Sequence, residues 1–294
     1  MRPLGAHKGP PALARTESAH PSQPAAADVV LLTDFGTADW YAATMKGVIR
    51  SIAPRAGLID LTHEIAPGNI DQAGFVLAQA APYFPAGTVF CVVVDPGVGT
   101  ARRPLACHDG ERFFVAPDNG VLSGVARAAG ANWRCHEASN PQWRRADVSA
   151  TFHGRDVFAP VSAWLTRIPD LALCGPPVEH AILLPEEIPE PTGLNSWRGR
   201  VLHVDRFGNA ITSFHRQWPP FNDASHPVKA ARTRIELVNG RLRGIHPTYA
   251  DVAPGEPLAY WGSAGYLEIA VNLGNAAESL GIRPADPVLI SVAY

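Results

Sequence analysis

Hydrophobic and polar positions follow one another along this chain in an order that predicts strand, helix, strand, helix and strand. Apolar runs at 29–32, 58–61 and 88–94 have the length and the branched side chains of buried β-strands. Between these runs, apolar residues recur at helical spacing over 41–53 and over 70–80. Strands that alternate with helices are typical of a mainly parallel sheet covered by helices.

After Pro104 the predicted elements become shorter, and a proline-rich segment then divides the chain. Short strands and two helices, one from about Gly120 and one over 155–165, lead to a linker over 184–193. Beyond the linker, Asn239-Gly240 predicts a hairpin whose two turn residues both need a positive φ. Strand patterns follow in quick succession there, at 200–204, 210–214, 234–238, 258–261, 266–271 and 287–292.

We therefore expect an α/β N-terminal domain with a mainly parallel sheet at 28–188, followed by a smaller all-β C-terminal domain at 195–294. A chain of 294 residues is long enough for two domains, each with its own core. Residues 1–27 are rich in Pro, Ala and Ser and show no period, which predicts a disordered tail.

The composition indicates a soluble globular protein and argues against some partners. A net charge of −2 gives no basic field for nucleic acid or an anionic membrane. No apolar run approaches the ~20 residues that span a bilayer. The four cysteines show no Cys-x-x-Cys spacing and predict free thiols in a reducing cytoplasm, without a disulfide framework or a zinc site; they are Cys91, Cys107, Cys135 and Cys174.

Charged and glycine-rich motifs stand where predicted strands end, which is typical of enzyme sites on α/β folds. Asp95 ends a hydrophobic strand, so its carboxylate needs a partner, and Arg102 follows after a tight glycine-rich turn. His153 stands just before a predicted helix, and a neutral imidazole beside an arginine accepts a proton near pH 7. From these residues alone, a structural ion pair and a structural histidine stay open as alternatives.

The motifs predict neither a cofactor nor a metal. The turn at 97–99 does not fit a dinucleotide fingerprint, because Arg102 occupies the third glycine position and a strand follows. His63-Glu64 is followed by Pro67 where a second zinc ligand would stand. No cluster of Asp or Glu predicts a two-metal site.

Two polar segments are suited to hold parts of a nucleoside or an amino acid. Asp34 is placed either to cap the following helix or to accept both hydroxyls of a ribose. The second segment carries a carboxylate, a ring and an amide on Asp205, Phe207 and Asn209. The carboxylate and the amide can hold an amino-acid head group, and the ring can stack on a base. The alternative is that these residues form a simple turn.

Taken together, six ordered segments from about residue 29 onward resemble the S-adenosyl-L-methionine (SAM) hydroxide adenosyltransferase family, also called SAM hydrolases. This family is related to the fluorinase and chlorinase. Each segment alone is a weak signal, and their shared order makes the resemblance strong. They are Thr33-Asp34-Phe35-Gly36-Thr37, Leu61-Thr62-His63-Glu64-Ile65, Val94-Asp95-Pro96-Gly97-Val98-Gly99, Ala116-Pro117-Asp118-Asn119-Gly120, Phe152-His153-Gly154-Arg155-Asp156 and Phe207-Gly208-Asn209.

The resemblance implies hydrolysis of SAM to adenosine and L-methionine by in-line attack of water or hydroxide at the 5′ carbon, without a cofactor. Asp95, Arg102 and His153 match the hydrolytic pattern, whereas halogenating relatives carry Tyr or similar residues there. The fluorinase also has a Ser at the position of Gly154. In this family His153 would be the base or the water-holder, Arg102 would stabilise hydroxide and Asp95 would orient Arg102.

The resemblance also implies a homotrimer, with SAM bound where the N-terminal domain of one subunit meets the C-terminal domain of its neighbour. The chain departs from the pattern at Gly68, where the fluorinase has a Trp, and at Ala264, where an Arg is expected. The expected substrate-binding residues are Asp34 at the ribose, Phe152, Phe207 and Tyr249 near the adenine or sugar, and Asp205, Asn209 and Ser263 at the methionine end.

Two other functions stay open at this point. A SAM-dependent chlorinase is disfavoured by Asp95 and His153. A non-catalytic SAM- or adenosine-binding protein would keep Asp34, Asp205 and Asn209 but would have no use for the group of Asp95, Arg102 and His153.

Overall fold

The structure, a computed structural model, describes residues 27–218, 221 and 227–292. The predicted disordered tail therefore lies outside the described residues, except for residue 27. Two sheets form the framework of the described chain. The first is built from strands between residues 29 and 137, and the second from strands between residues 190 and 292. The domain boundaries given above stay a prediction.

The first sheet has six strands in the order β2-β1-β3-β5-β4-β6. β1, β2, β3 and β5 run parallel, whereas β4 pairs antiparallel with both of its neighbours. The prediction of a mainly parallel sheet is confirmed only in part, because the short connection between β4 and β5 forces an antiparallel hairpin. The strands are β1 (Val29–Thr33), β2 (Leu58–Thr62), β3 (Val89–Val93), β4 (Pro104–His108), β5 (Phe113–Pro117) and β6 (Arg134–Glu137).

Helices cover both faces of this sheet, so its central strands are buried on both sides. In β1, Val29 and Leu31 enter one core, while Val30 and Leu32 enter the other. The helix predicted over 155–165 begins instead as a π-helical turn, Gly154–Phe158, and continues as an α-helix. The helices are α1 (Tyr41–Ile52), α2 (Ile70–Ala80), α3 (Ser123–Ala129) and α4 (Ala159–Arg167).

The second sheet is antiparallel throughout and has the order β11-β10-β14-β8-β9-β13-β12, with β7 paired to β8. β7 lies inside the predicted linker, and two short helices, α5 (Pro227–Arg232) and α6 (Ala276–Leu280), accompany the sheet. The strands are β7 (Glu190–Gly193), β8 (Ser196–Val204), β9 (Ala210–His215), β10 (Thr233–Leu237), β11 (Gly240–Arg243), β12 (Pro257–Trp261), β13 (Tyr266–Val271) and β14 (Pro287–Val292).

The hairpin between β10 and β11 forms, but its turn differs from the predicted one. Leu237 pairs with Gly240, so the two turn residues are Val238 and Asn239. Asn239 and Gly240 are not among the described residues with a positive φ. The side chain of Asn239 donates to the carbonyl of Leu280 instead, at 3.2 Å, and this tertiary contact fixes the turn.

The prediction that all four cysteines are free thiols is wrong. Cys107 on β4 and Cys135 on β6 face each other across the sheet, with Cα atoms 4.1 Å apart, and form a disulfide. The spacing rule missed this pair because β6 was not predicted, so its register against β4 was not visible. Cys91 and Cys174 are free and buried. The cysteine argument for a reducing cytoplasm therefore loses its basis, and the cytoplasmic location stays a prediction.

The two sheets contact each other through α2. Phe75 on this helix lies with its ring centroid 5.7 Å from His203 and 5.6 Å from Tyr266. β8 and β13 thus pack against the helix that covers one face of the first sheet. None of the helices in the described ranges has both the length and the apolar character needed to cross a membrane.

Candidate active site

Asp95, Arg102 and His153 form one hydrogen-bonded group in the structure. The guanidinium of Arg102 donates from Nε to Asp95 Oδ1 at 2.8 Å and from Nη2 to Asp95 Oδ2. The same Nη2 also donates to His153 Nδ1 at 2.8 Å. The Asp95 side chain is 5% exposed and that of Arg102 is 9% exposed, so this ion pair is largely shielded from solvent.

Local structure explains why these three residues meet. Asp95 follows β3 and Arg102 precedes β4, and the turn between them is closed by the amide of Val98, which donates to the carbonyl of Asp95 at 3.2 Å. His153 is the residue before the π-helical turn, and the ring of Phe158 in that turn lies under the Arg102 guanidinium at 5.3 Å. A parallel strand end and a helix start therefore converge on one point.

The contact with Arg102 fixes the proton arrangement of His153. An arginine side chain can only donate hydrogen bonds, so Nδ1 of His153 is the acceptor and the neutral ring carries its proton on Nε2. Burial lowers the pKa of His153, and the positive charge of Arg102 lowers it further. At neutral pH His153 is therefore a neutral hydrogen-bond donor through Nε2.

A cavity of about 330 Å³ lies beside this group. Asp95 and His153 form part of its wall, and aromatic rings form another part. The rings of Phe35 and Phe152 meet edge-on at 5.9 Å, and Tyr41 stands edge-on to Phe152 at 5.2 Å. The other wall residues are Asp34, Val93, Val98, Thr151 and Gly154.

Asp34 lies in the wall of this cavity and does not cap the next helix. α1 begins at Tyr41 after Trp40, which makes no side-chain cap. The amide of Gly68 donates to Asp34 Oδ2 at 2.8 Å instead. The loop that carries Gly68 thus holds the carboxylate, and the second oxygen, Oδ1, remains available to a ligand hydroxyl.

A chain of hydrogen bonds behind Asp34 fixes the end of β1. His63, 4% exposed, bonds through Nδ1 to the hydroxyl of Thr33 at 2.8 Å and through Nε2 to Asp60 at 3.0 Å. Asp60 also accepts from Lys46 at 2.6 Å. Burial acts to raise the pKa of Asp60, but the hydrogen bonds from Lys46 and His63 outweigh it and lower that pKa. Thr33, the residue before Asp34, is therefore fixed by this hydrogen-bond chain.

The polar residues expected to bind substrate in the C-terminal region form a group of their own. Asp205 Oδ1 accepts from the amides of Phe207 at 2.9 Å and Asn209 at 2.8 Å. Asn209 Nδ2 donates to Asp205 Oδ2 at 2.9 Å and to the Tyr249 hydroxyl at 3.3 Å. Phe207 is 76% exposed and Ser263 is also exposed. Asp205 and Asn209 therefore form a tight turn with one exposed ring on it.

Two residues that the sequence analysis missed extend this group inward. The Tyr249 hydroxyl lies 2.5 Å from that of Tyr260, and Tyr260 donates to Glu268. Burial raises the pKa of Glu268 above its ordinary value, although the hydrogen bond from Tyr260 acts the other way. Burial and the contacts with Glu268 and Tyr249 also raise the pKa of Tyr260.

The two groups do not meet within one chain. All ten residues of the cavity wall lie between residues 34 and 154. The hydrogen bonds of Asp205, Asn209 and Tyr249 given above go only to residues between 205 and 268. The structure thus brings together the three expected catalytic residues with Asp34 and Phe152, but it leaves the C-terminal substrate-binding residues apart from them.

Two protein-family models match this chain. The model of the SAM hydroxide adenosyltransferase N-terminal domain matches residues 29–175, and the model of the C-terminal domain of the same family matches residues 199–289. The chain belongs to the SAM hydroxide adenosyltransferase family. The resemblance inferred from the six segments is thereby confirmed.

Individual relatives match this chain over nearly their whole length. A Salinispora tropica protein named (R)-S-adenosyl-L-methionine hydrolase is 42% identical over 88% of this chain and 95% of its own. A Thermus thermophilus protein of the same name is 41% identical over 88% and 98%. A protein of an Actinoplanes species named fluorinase is 26% identical over 90% and 97%. The crystal structure of an uncharacterised conserved protein from Thermotoga maritima matches with a TM-score of 0.82 at 36% identity, over 90% of this chain and 99% of that one.

Several residues of the site were not among those expected from the sequence. Phe35 belongs to one of the six segments and Thr151 directly precedes another, so their nearness to Asp34 and Phe152 was the available signal. Tyr41, Tyr260 and Glu268 gave none, because they read as members of ordinary helix and strand patterns. Among residues 27–218, 221 and 227–292 no three His, Cys, Asp or Glu side chains are grouped as a metal site would require.

Proposed function

We propose that this enzyme hydrolyses SAM to adenosine and L-methionine by attack of water or hydroxide on the 5′ carbon. The observation that carries the proposal is the hydrogen-bonded group of Asp95, Arg102 and His153 beside a cavity of about 330 Å³. Relatives at 40–42% identity that are named SAM hydrolases support it.

The reaction needs little from the enzyme besides an oriented nucleophile. The C5′–S bond breaks and its electron pair stays on sulfur, which becomes the thioether of methionine. The C5′–O bond forms, and with water as the nucleophile one proton is released. Because a sulfonium leaves without protonation, the enzyme has to place one oxygen in line with the C5′–S bond and keep other water out.

His153 acts in this proposal as the holder of the attacking oxygen. Its Nδ1 accepts from Arg102, so the proton on Nε2 is donated to the nucleophile. The charge of Arg102 then favours hydroxide over water at that place, and Asp95 fixes the guanidinium by two hydrogen bonds. Of the two roles that the sequence allowed for His153, the hydrogen-bond pattern favours the water-holder over the base.

SAM lies, in the same proposal, between two copies of the chain. Asp34 takes the ribose hydroxyls, and Phe152 with Phe35 forms an apolar wall beside the sugar. Asp205, Asn209 and Ser263 of a neighbouring copy take the methionine end, with Phe207 and Tyr249 near the adenine or sugar. A homotrimer with three such sites is supported by the separation of the two groups within one chain, since each presents part of a site.

The sulfonium centre of SAM is chiral, and the names of the relatives specify the (R) form. We therefore propose the (R) epimer as the preferred substrate. Incubation of the purified protein with each epimer and separation of the products by chromatography tests this choice. Faster loss of the (S) epimer would overturn it and would leave the reaction type unchanged.

The test of the function is incubation with a mixture of both sulfonium epimers of SAM in ¹⁸O-enriched water, followed by mass spectrometry. We expect adenosine labelled at its 5′ oxygen and an equal amount of methionine. Arg102→Ala is the matched control, and we expect it to bind SAM without turnover. Intact SAM with the wild-type protein would contradict hydrolysis and favour a binding protein, whereas 5′-chloroadenosine formed only with added chloride would indicate a halogenase.

A further inference from the structure

Asp156 is a fully buried carboxylate three residues after His153, and the scheme above gives it no role. Its side chain has no exposed surface and accepts from Nε and Nη2 of Arg155 at 2.7 and 2.8 Å. Burial acts to raise the pKa of Asp156, but hydrogen bonds from Arg155 and from the amide of Ser149 outweigh it and lower that pKa. Asp156 is therefore ionised, and the guanidinium groups of Arg155 and Arg145 balance its charge.

This one residue fastens the loop 145–149 to the π-helical turn. The Asp156 carboxylate accepts from the amide of Ser149 at 2.9 Å and forms an ion pair with Nε of Arg145 at 3.2 Å. Its main-chain carbonyl accepts from the amide of Arg145 at 3.0 Å. That carbonyl is free for a partner outside the helix, because Pro160, four residues further on, has no N–H to donate to it.

The residue that follows this loop, Ala150, packs against the turn that leads to Arg102. Gly99 has a φ of +79°, and a Cβ built there would lie 2.7 Å from the carbonyl oxygen of Ala150. The next loop residue, Thr151, lies in the cavity wall beside His153. Asp156 therefore connects the segment that carries His153 to the segment that carries Arg102.

The partner of Asp156 reaches the aromatic wall of the cavity. The guanidinium of Arg155 lies over the ring of Phe152, 5.1 Å from its centroid. Arg155 is thus fixed on one side by the carboxylate of Asp156 and on the other by the ring. Phe152 and His153, adjacent in the wall, are both held by this pair of residues.

We propose that Arg155 and Asp156 are positioning residues, with Asp156 holding His153 against Arg102 and Arg155 holding Phe152 in the cavity wall. The role in turnover rests on the proposed hydrolysis, while the placement of the two side chains does not. Neither residue lies in the cavity wall, so both act through their neighbours.

The test uses Asp156→Asn and Arg155→Lys in the full-length protein. Asp156→Asn keeps the shape but removes the charge that holds Arg155 and Arg145. We expect kcat to fall by about 10- to 100-fold, because small misplacements of a catalytic group have effects of this size, with a smaller change in KM. Arg155→Lys keeps the charge but loses the paired hydrogen bonds to Asp156 and the stacking on the Phe152 ring. We therefore expect mainly a higher KM. Equal loss of both parameters in both variants would contradict the division of roles.

A matched control separates positioning from a general loss of stability. Asp109→Asn removes another carboxylate that holds an arginine, Arg112, and two backbone amides, in the loop between β4 and β5. We expect it to keep wild-type kcat. Loss of kcat in Asp109→Asn comparable with that in Asp156→Asn would overturn the proposal.

A readout without turnover keeps the placement testable if the wild-type protein does not hydrolyse SAM. The ¹⁵N signal of His153 Nδ1, assigned with His153→Asn, reports the hydrogen bond from Arg102. We expect Asp156→Asn to move this signal toward that of an imidazole nitrogen without a donor, and Asp109→Asn to leave it in place. An unchanged signal in Asp156→Asn would overturn the positioning role whatever the activity of the protein.

Discussion

At the scale of single residues, the proton on His153 decides what this site does with water. The contact with Arg102 occupies the nitrogen that would otherwise serve as a base, and the ring is left as a donor. Protonation of His153 would place a second positive charge beside Arg102 and remove the acceptor. The arrangement therefore depends on a pKa that stays below the working pH.

The first prediction concerns that pKa. His153 should titrate below the ordinary histidine value of about 6.5, because burial and the charge of Arg102 both disfavour the protonated ring. The neutral ring, and with it the hydrogen bond to Arg102, is present above this midpoint and lost as the pH falls through it. Replacing Arg102 with Met removes one cause of the lowered pKa and leaves Asp95 unpaired, so the midpoint should move upward.

NMR titration of the His153 ring, with the other histidines as internal references, measures this midpoint. His108 is a useful control because burial also lowers its pKa, while its charged neighbour is Asp109. Its midpoint should be the same in wild type and in Arg102→Met. A His153 midpoint that stays in place or falls in the variant would contradict the electrostatic role of Arg102.

At the scale of elements, the site depends on two turns that touch, 97–100 before Arg102 and 149–151 before His153. The contact is made through backbone, because Gly99 offers no side chain where the carbonyl of Ala150 approaches. Backbone contacts of this kind leave little room for adjustment. The geometry of the Arg102–His153 pair thus follows from how closely two loops approach.

The second prediction compares Gly99→Ala with Gly87→Ala. Both glycines have a similar positive φ, +79° and +85°, but only at Gly99 would the new Cβ meet other atoms within 4 Å. We expect Gly87→Ala to lower the free energy of unfolding by about 1 kcal/mol, and Gly99→Ala to lower it by about 1–3 kcal/mol more. Only Gly99→Ala should also reduce SAM turnover.

Chemical denaturation and initial rates measured on both variants check this expectation. If both variants were destabilised equally, the loop at Ala150 would move away from the new Cβ without a cost in stability. If Gly99→Ala were clearly less stable but fully active, the contact between the two loops would not determine the geometry of the site.

The sequence predicted the elements better than the contacts between them. The bounds of α2 and β13 match the prediction closely, since α2 buries one helical face and β13 is a mainly apolar run that is buried almost throughout. The π-helical turn at Gly154–Phe158 was missed, because one wider turn changes the side-chain period for too few residues to be seen. β6 was missed because it has only four residues, of which one is buried, and the Cys107–Cys135 disulfide was missed with it.

The same contrast holds for the candidate site. Asp95, Arg102 and His153 were identifiable because each stands beside a predicted strand or helix end, where polar residues in an apolar pattern are conspicuous. Glu268 was not identifiable, since it lies between Leu267 and Ile269 on a strand and follows the ordinary alternation. Its burial, and the contact with Tyr260, depend on the neighbouring strand, which no local pattern reveals.

At the scale of the whole molecule, the polar group around Asp205 and the cavity near Asp95 are two separate surfaces of one chain. An enzyme with this layout gains a complete substrate site when copies assemble head to tail in a closed ring. The proposed homotrimer would then contain three sites, each made by two subunits. The activity would be a property of the assembly.

The last prediction tests this layout with two inactive variants, Arg102→Ala in the N-terminal half and Asn209→Ala in the C-terminal half. Co-expressed with different tags and purified through both, they give mixed assemblies. In a ring of three, about one interface in three then combines two unchanged halves, so we expect about a third of wild-type turnover. Each variant alone should be inactive.

Size-exclusion chromatography with light scattering supplies the control, since both variants must assemble as the wild type does. Mixed assemblies without activity would indicate that each chain forms a complete site by itself. This result would contradict a site shared between two subunits.

The crowding around Gly154 has a consequence for how this enzyme can evolve. A Cβ at this position would lie 3.2 Å from Met45 Sδ, 3.2 Å from Phe152 and 3.3 Å from Phe35. These neighbours belong to three different segments of the chain, so even a small new side chain requires all three to give way. A substitution of Gly154 alone would overpack this wall. Lineages in which this position gains a side chain should therefore also carry changes at Met45, Phe152 or Phe35.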